Sequence, residues 1–256
     1  MKAMFDDTGY MTSGYFLTGS ETVGESARNM TARLVEISNI NSSSKVLDLG
    51  CGTGAPTLDI AATTGSTVVG VDLSEGLVEQ ANNQYLASYK ERYPDIRAEF
   101  YCGSYYEIPE AVKALAPFTH VVMQTSIFYG HHRIDEILRE VSGVLEPSSG
   151  ILVTTDFQRK APLEDVTDLL KFMNMKTVLS KGEMEAALER NGMEYCGGEN
   201  LDSHYIKCNT AKMNKVEALK IEGSNPEFFR VRAESVRHGK VSFQIVLARK
   251  DAAALL

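Results

Sequence analysis

A glycine-rich segment, Asp48-Leu49-Gly50-Cys51-Gly52-Thr53-Gly54, and the acidic residue Asp72 are the features of this sequence best suited to ligand chemistry. The glycines follow a short apolar run, where a strand would turn into a helix. They let the backbone turn tightly and approach a ligand where a Cβ would collide. Asp72 closes the next apolar run, at a position that suits hydrogen bonds to a ribose diol. Together these residues predict a site for a ligand that contains ribose.

The spacing of the glycines separates two kinds of ribose-containing ligand. Gly50-x-Gly52-x-x-Ala55 satisfies the loose dinucleotide pattern, so a NAD-dependent oxidoreductase is one alternative. However, the third glycine comes two residues after the second, and Asp48 lies two positions before the first, close to where a pyrophosphate would lie. A carboxylate at that place repels phosphate and suits a cation. The pattern therefore favours the sulfonium cofactor S-adenosylmethionine over NAD.

Three segments carry a family resemblance. Val46–Gly54 resembles motif I of the class I S-adenosylmethionine-dependent methyltransferases, Val69–Asp72 resembles their second motif, and Val144–Gly150 is similar to the turn before their fifth strand. The resemblance implies an α/β fold with a Rossmann-like, seven-stranded, mostly parallel sheet and helices on both faces. It also implies an enzyme that methylates oxygen, nitrogen or carbon of a small organic molecule, without a metal. A protein that binds the cofactor but transfers no methyl group is a further alternative.

The same resemblance assigns parts of the cofactor to residues. Asp48 and the glycine segment would hold the methionine portion, and Asp72 the ribose hydroxyls. The family often has Gly-Asp after the third strand, at the adenine, whereas this chain has Gly103-Ser104-Tyr105, so Ser104 or the Tyr105 backbone is the candidate substitute. The predicted cofactor contacts are Asp48, Gly50, Cys51, Gly52, Gly54, Asp72, Leu73, Gly103, Ser104, Tyr105 and Gln124.

A general base is needed only if the methyl acceptor carries a proton, because methyl transfer from a sulfonium is an in-line displacement that depends mainly on alignment. Such a base should lie near the carboxyl ends of the fourth and fifth strands. The layout resembles natural-product methyltransferases related to the rebeccamycin sugar O-methyltransferase, in which a loop histidine and an aspartate are thought to form the base. This implies His131 or His132 with Asp156, and we predict His131 and Asp156 as catalytic residues. A solvated loop and a helix cap are their structural alternatives.

Residues predicted to contact the acceptor lie in the N-terminal segment, in the loop after the fourth strand and near residue 204. In related enzymes the N-terminal region folds over the cofactor as a lid that excludes water; ordinary helix packing is the alternative. Asn200–Tyr205 resembles a segment of glycine/sarcosine and phosphoethanolamine N-methyltransferases, which keeps nitrogen open as the acceptor atom. The predicted contacts are Tyr10, Tyr15, Tyr129, His132 and His204.

Alternating strand and helix patterns over the first 157 residues predict the elements that position these side chains. The predicted strands are Lys45–Leu49, Thr67–Asp72, Ala98–Cys102, His120–Gln124 and Gly150–Phe157. Helical patterns dominate after Phe157, over 158–180, 181–191, 204–220 and 226–237, before a last strand at 241–248. We expect one methyltransferase domain over 1–256, with N-terminal lid helices (1–40), a cofactor-binding core (41–157), a helical cap (158–238) and a final strand with a tail (239–256).

Composition limits the remaining possibilities. The 256 residues carry a formal net charge of −8 and show no basic face, which argues against nucleic acid as a partner, as does the lack of an Asn/Asp-Pro-Pro-Tyr motif. Four scattered cysteines without a C-x-x-C pair fit a reducing compartment. The sequence shows no apolar signal-peptide core and no membrane-spanning run. We expect a cytoplasmic enzyme of secondary metabolism with a small-molecule substrate and no membrane contact. A homodimer is one option for its oligomeric state.

Overall fold

The fold is built on one seven-stranded sheet in the order β3-β2-β1-β4-β5-β7-β6. The computed structural model describes Asp6 and residues 8–251; the ends of the predicted lid and tail regions, 1–5, 7 and 252–256, lie outside the described residues. The strands are β1 Lys45–Leu49, β2 Thr67–Asp72, β3 Arg97–Cys102, β4 His120–Gln124, β5 Ile151–Arg159, β6 Met193–Asn200 and β7 Val241–Lys250. Strands β1 to β5 are mutually parallel, and β7 is antiparallel to β5 and β6. This architecture confirms the predicted fold class.

The strand order reverses at β1, which pairs with β2 on one side and with β4 on the other. The chain leaves β1 in one direction to build β2 and β3, and it returns to the middle of the sheet for β4. Connections therefore diverge at the carboxyl ends of β1 and β4, and they leave a crevice there between them. Ligands of open α/β sheets bind in such a crevice.

Helices cover both faces of the sheet. They are α1 Val23–Ser38, α2 Ala55–Thr64, α3 Glu75–Gln80, α4 Leu86–Arg92, α5 Glu110–Lys113, α6 Ile134–Val144, α7 Thr167–Met173, α8 Lys181–Arg190, α9 Asp202–Leu219 and α10 Pro226–Arg237. A π-helical turn, Ala81–Tyr85, joins α3 to α4, and 3₁₀ turns occupy Ile127–Arg133 and Leu163–Val166. On α6, apolar side chains three or four residues apart are buried against the sheet, as the sequence spacing predicts. None of the described helices combines the length and the apolar character needed to cross a membrane.

The predicted cap, 158–238, needs correction, because it contains an element of the sheet. Strand β6 lies in this region as the edge strand beside β7. Gly197 and Gly198 interrupt its strand pattern, and glycine in a strand marks a close approach of two backbones. A Cβ at Gly198 would lie 1.9 Å from the carbonyl oxygen of Ile245 on β7. Gly198 thus allows β6 to pair with β7. Because glycine is uncommon within strands, it also obscures the strand pattern in the sequence.

The predicted cap region, 158–238, also contains the helices α7, α9 and α10. They share a core with the sheet, since Leu169, Tyr205 and Val236 are buried in one cluster with Phe157 and Phe243. The predicted lid helices are also corrected in part: the described residues before β1 hold one helix, α1, and the segment 8–22 is not helical.

Candidate active site

A cavity of about 420 Å³ opens at the carboxyl ends of β1, β2 and β4, in the crevice that the strand order creates. The glycine segment after β1, the end of β2 and the turn after β3 form much of its wall. The remainder comes from the residues after β4, from the N-terminal segment and from α10. The lining residues are Gly9, Met11, Thr12, Asp48, Gly50, Cys51, Gly52, Thr53, Pro56, Val71, Asp72, Leu73, Gly103, Ser104, Tyr105, Tyr106, Gln124, Thr125, Ser126, Tyr129 and Arg232.

All of the predicted cofactor contacts except Gly54 line this cavity. Gly54 precedes α2 with a left-handed backbone, φ +79°. A Cβ at this position would lie 2.6 Å from the ring of Phe100 and 2.9 Å from the Cβ of Ala81. Conformation and packing against these neighbours account for glycine here, and the contact of Gly54 with the cofactor stays a prediction.

Asp72 is held in one orientation by two backbone amides. The amide of Gly52 donates to its Oδ2 at 2.9 Å, and the amide of Ser74 donates to its Oδ1 at 2.9 Å. A carboxylate can accept about four hydrogen bonds, so the two oxygens keep acceptor capacity for hydroxyl groups of a ligand. The backbone of the glycine segment thus fixes the orientation of the Asp72 carboxylate, the residue that the sequence motif predicts to act together with it.

Asp48 is a buried carboxylate, only 2% exposed, at the floor of the cavity. The hydroxyl of Thr57 donates to its Oδ2 at 2.6 Å. Burial raises the pKa of Asp48 to about 7, and the negative charge of Asp72 also raises it, whereas the Thr57 hydrogen bond lowers it. Among the described residues no cation forms an ion pair with either aspartate. Two carboxylates without a protein cation suit a positively charged ligand.

A chain of hydrogen bonds ties the N-terminal segment to the end of β4. Gln124 accepts from the hydroxyl of Thr31 at 2.9 Å and donates through Nε2 to the Thr12 hydroxyl at 3.0 Å. The Thr12 hydroxyl lies 2.8 Å from that of Thr125, whose amide donates to the Thr155 hydroxyl at 2.8 Å. Thr125 has φ +64°, which is strained for a β-branched residue and is typical of functional sites.

The structure brings His131 and Asp156 together but places them outside the cavity lining. Both side chains are fully enclosed, and Nε2 of His131 lies 3.0 Å from Oδ1 and 3.1 Å from Oδ2 of Asp156. Nδ1 accepts from the amide of Leu179 at 3.1 Å, so the proton of a neutral ring belongs on Nε2. Neither nitrogen is available to an acceptor in the cavity. As placed here, the pair connects the 3₁₀ turn Ile127–Arg133 to β5 and to the chain before α8.

Among the predicted acceptor contacts, Tyr129 lines the cavity and the other four do not. Tyr10 is buried, and its hydroxyl donates to the carboxylate of Asp59 on α2. His132 is exposed and meets the ring of Tyr106 edge-on at a centroid distance of 6.4 Å. Neither side chain lines the cavity, so the contacts of Tyr10 and His132 with the acceptor stay predictions.

Tyr15 and His204 contact each other. Their rings stack with centroids 4.1 Å apart, and the Tyr15 hydroxyl donates to Glu199 at 2.9 Å. Nδ1 of His204 accepts from the amide of Phe16 at 3.0 Å. These side chains anchor the N-terminal segment to α9 and β6, and their contacts with the acceptor stay predictions.

Ten of the lining residues are not among the contacts that the sequence predicts, and Thr12, Thr125 and Arg232 are three of them. Thr125 could have been predicted, since it directly follows the fourth predicted strand, where the crevice forms. Arg232 could not have been predicted in this way, because it lies on a helix that is remote in sequence from every motif.

Comparison with known proteins agrees with this geometry. A family model described as a methyltransferase domain matches residues 46–148. Methyltransferase GfsG of Streptomyces halstedii is 28% identical over 201 residues, which cover 76% of this chain and 68% of that protein. The 27-O-demethylrifamycin SV methyltransferase of Amycolatopsis mediterranei (strain S699) is 26% identical over 220 residues, 81% of this chain and 75% of that protein.

The fold agrees with a solved structure along almost its whole length. A putative sarcosine dimethylglycine methyltransferase from Galdieria sulphuraria superposes with a TM-score of 0.79 at 16% identity, and the match covers 95% of this chain and 94% of that one. The matched family segment contains the glycine segment and Asp72, and the rest of the chain completes the same fold. Residues 46–148 thus form a methyltransferase domain, and the comparisons confirm the predicted activity, that of an S-adenosylmethionine-dependent methyltransferase of small molecules.

Proposed function

We propose that this enzyme transfers the methyl group to an oxygen of a small hydroxylated natural product, in secondary metabolism. The observation that carries the proposal is the group of hydroxyls on the cavity wall after β4 and in the N-terminal segment: Thr12, Thr125 and Tyr129. Hydroxyl side chains donate and accept hydrogen bonds, so they suit an alcohol or a phenol. Similarity to the 27-O-demethylrifamycin SV methyltransferase along most of both chains supports an oxygen acceptor.

The cofactor would be held by the carboxylates and the backbone of the glycine segment. In this proposal Asp48 binds the methionine portion and Asp72 binds the ribose hydroxyls, while Ser104 and Tyr105 lie at the adenine. When bound, S-adenosylmethionine supplies an electrophilic methyl group on a positively charged sulfur. The two unpaired aspartates fit that charge, which a dinucleotide would not match.

The N-terminal segment would exclude water from the reacting groups. The Thr53 hydroxyl donates to the carbonyl of Gly9 at 2.6 Å, and Tyr10 is bonded to Asp59. These contacts hold the segment across the glycine segment, where Met11 and Thr12 form part of the cavity wall. A closed and preorganised wall favours alignment of the acceptor with the methyl group.

His131 and Asp156 act as positioning residues in this proposal. They hold the 3₁₀ turn Ile127–Arg133, which carries Tyr129 into the cavity wall. Their effect on the acceptor is thus exerted through Tyr129 and not by proton transfer.

The proposal is tested by binding and by the fate of a labelled methyl group. We expect calorimetry to show binding of both S-adenosylmethionine and S-adenosylhomocysteine. With ¹³C-methyl-labelled cofactor and a panel of alcohols, phenols, amines and carbon nucleophiles, we expect the label on oxygen, as read from its carbon chemical shift. Label on nitrogen or carbon would contradict the oxygen assignment, and cofactor binding without any transfer across the panel would favour an inactive binding protein.

Asp48 makes cofactor affinity dependent on pH. Its pKa in the free protein is about 7, and a bound cation favours the ionised carboxylate, so below that pH binding must displace a proton. We expect affinity for S-adenosylmethionine to fall up to about tenfold per pH unit as the pH drops from about 7 to about 5. Calorimetry across this range measures the effect, and in Asp48→Asn the slope should vanish while affinity stays low. A flat wild-type profile would contradict the role of Asp48.

A further inference from the structure

Arg232 is a buried arginine that reaches the cavity from α10, with 8% of its surface exposed. Its Nε donates to the hydroxyl of Tyr205 at 2.6 Å. The guanidinium lies over two rings, 5.3 Å from the centroid of Tyr205 and 4.9 Å from that of Phe228. Stacking and the hydrogen bond fix the plane of the guanidinium, so its remaining donors point in set directions.

No carboxylate among the described residues forms an ion pair with Arg232. A second buried cation lies nearby: Lys212 donates to the carbonyl of Thr12 at 2.9 Å. Burial lowers the pKa of Lys212 and the charge of Arg232 also lowers it, whereas Cys208 raises it. Arg232 therefore carries a buried positive charge for which the described residues supply no carboxylate, and an uncompensated buried charge is costly.

The cavity is therefore electrically asymmetric. Asp48 and Asp72 contribute negative charge from the sheet side, and Arg232 contributes positive charge from α10. The two aspartates suit the cationic cofactor. The guanidinium suits a group of opposite sign, and its fork of donors matches the paired oxygens of a carboxylate or a phosphate.

We infer that Arg232 binds an anionic group of the acceptor, a carboxylate or a phosphate, and so helps to determine which molecules are methylated. The inference rests on the proposed function, because it needs an acceptor in this cavity. It narrows the acceptor to hydroxylated molecules that also carry an acidic group. Arg232 is a specificity residue here: it anchors the acceptor and takes no part in bond making.

The test uses the enzyme saturated with S-adenosylhomocysteine and three probes that share one ring: benzoate, phenyl phosphate and benzamide. Calorimetry should show binding of at least one anion, with benzamide weaker by at least about tenfold. In Arg232→Met the affinity for the anion should fall at least about tenfold, and Arg232→Lys should retain part of it. Arg230→Met is the matched control, because Arg230 is an exposed arginine of the same helix that pairs with Glu227 and Glu234; we expect no change.

The outcomes separate this inference from the proposed function. Equal binding of benzoate and benzamide, binding of neither anion, or full anion binding by folded Arg232→Met would overturn the inference. S-adenosylhomocysteine affinity should be the same in wild type and Arg232→Met. A fall of about tenfold or more would assign Arg232 to the carboxylate of the cofactor and would also overturn the inference. Failure of the wild type to bind S-adenosylhomocysteine would instead count against the proposed function. Thermal melting, with Arg232→Lys as the second variant, shows whether each protein is folded.

Discussion

Asp72→Ala is expected to weaken binding of S-adenosylmethionine and S-adenosylhomocysteine by about 100-fold. The substitution removes a carboxylate that is proposed to accept hydrogen bonds from the ligand and that also accepts them from the protein backbone. In the free protein this carboxylate accepts the amides of Gly52 and Ser74. Without it the glycine segment loses the hydrogen bond that sets the Gly52 amide, and the ligand loses its proposed acceptor for ribose hydroxyls. Calorimetry with S-adenosylhomocysteine measures the loss directly and needs no methyl acceptor.

Glu75→Ala is the control for this experiment. Glu75 is an exposed acidic residue three positions further along the chain, and it does not line the cavity. Its removal changes the net charge by the same amount, so a general electrostatic effect would appear in both variants. We expect Glu75→Ala to bind within about twofold of the wild type. Asp72→Ala with wild-type affinity would show that the ribose is held elsewhere.

His131→Ala is expected to destabilise the protein by about 3 kcal/mol, since it leaves the carboxylate of Asp156 buried without its main partner. For a chain of this size the loss corresponds to a fall of about 6–12 °C in the melting temperature. Differential scanning calorimetry of the cofactor-free protein measures it. The fall follows from the enclosure of both side chains and from their contacts at 3.0 and 3.1 Å.

The adjacent residue provides the control. His132 is exposed, and we expect His132→Ala to melt within about 1–2 °C of the wild type, as surface substitutions do. The pair of variants also separates two roles for His131. A positioning residue lowers stability when it is removed, whereas a base that merely faces the ligand would leave the melting temperature unchanged and abolish turnover. The second pattern would restore the catalytic role that the sequence suggests.

The cofactor half of the site could be predicted from the sequence because local chain geometry creates it. Glycines between a strand and a helix, Asp48 inside the strand and Asp72 at the end of the next strand all have positions that follow from consecutive residues. Parallel pairing of β1 with β2 then brings their carboxyl ends to one edge. The motif residues therefore meet at one cavity without any long-range information from the sequence.

The acceptor half could not be predicted in the same way. Arg232 reaches the cavity because α10 packs against α9 and α7, and no local pattern records that packing. His131, by contrast, lies at the place in the sequence where a base is expected, yet rotation within the 3₁₀ turn directs its ring toward Asp156 and Leu179. Similarly, the sequence predicts that Tyr10 and Tyr15 contact a ligand, whereas in the structure they contact Asp59 on α2 and His204 on α9.

The cavity wall is formed by two groups of residues that differ in their place in the fold: one lies on or beside the sheet, and the other lies in the N-terminal segment and on α10. Most of the lining residues between 48 and 126 lie on strands of the sheet or in the turns that follow them, so their replacement endangers the fold as well as the proposed cofactor site. Thr12 and Arg232 come from a peripheral segment and a peripheral helix. In the proposed function, substitution of Arg232 changes the choice of acceptor while the carboxylates and glycines proposed to hold the methyl donor stay in place. Under the proposed function, an enzyme with this division can diverge toward new acceptors through a few changes outside the strands, which is an evolutionary advantage of building one wall from a different part of the chain.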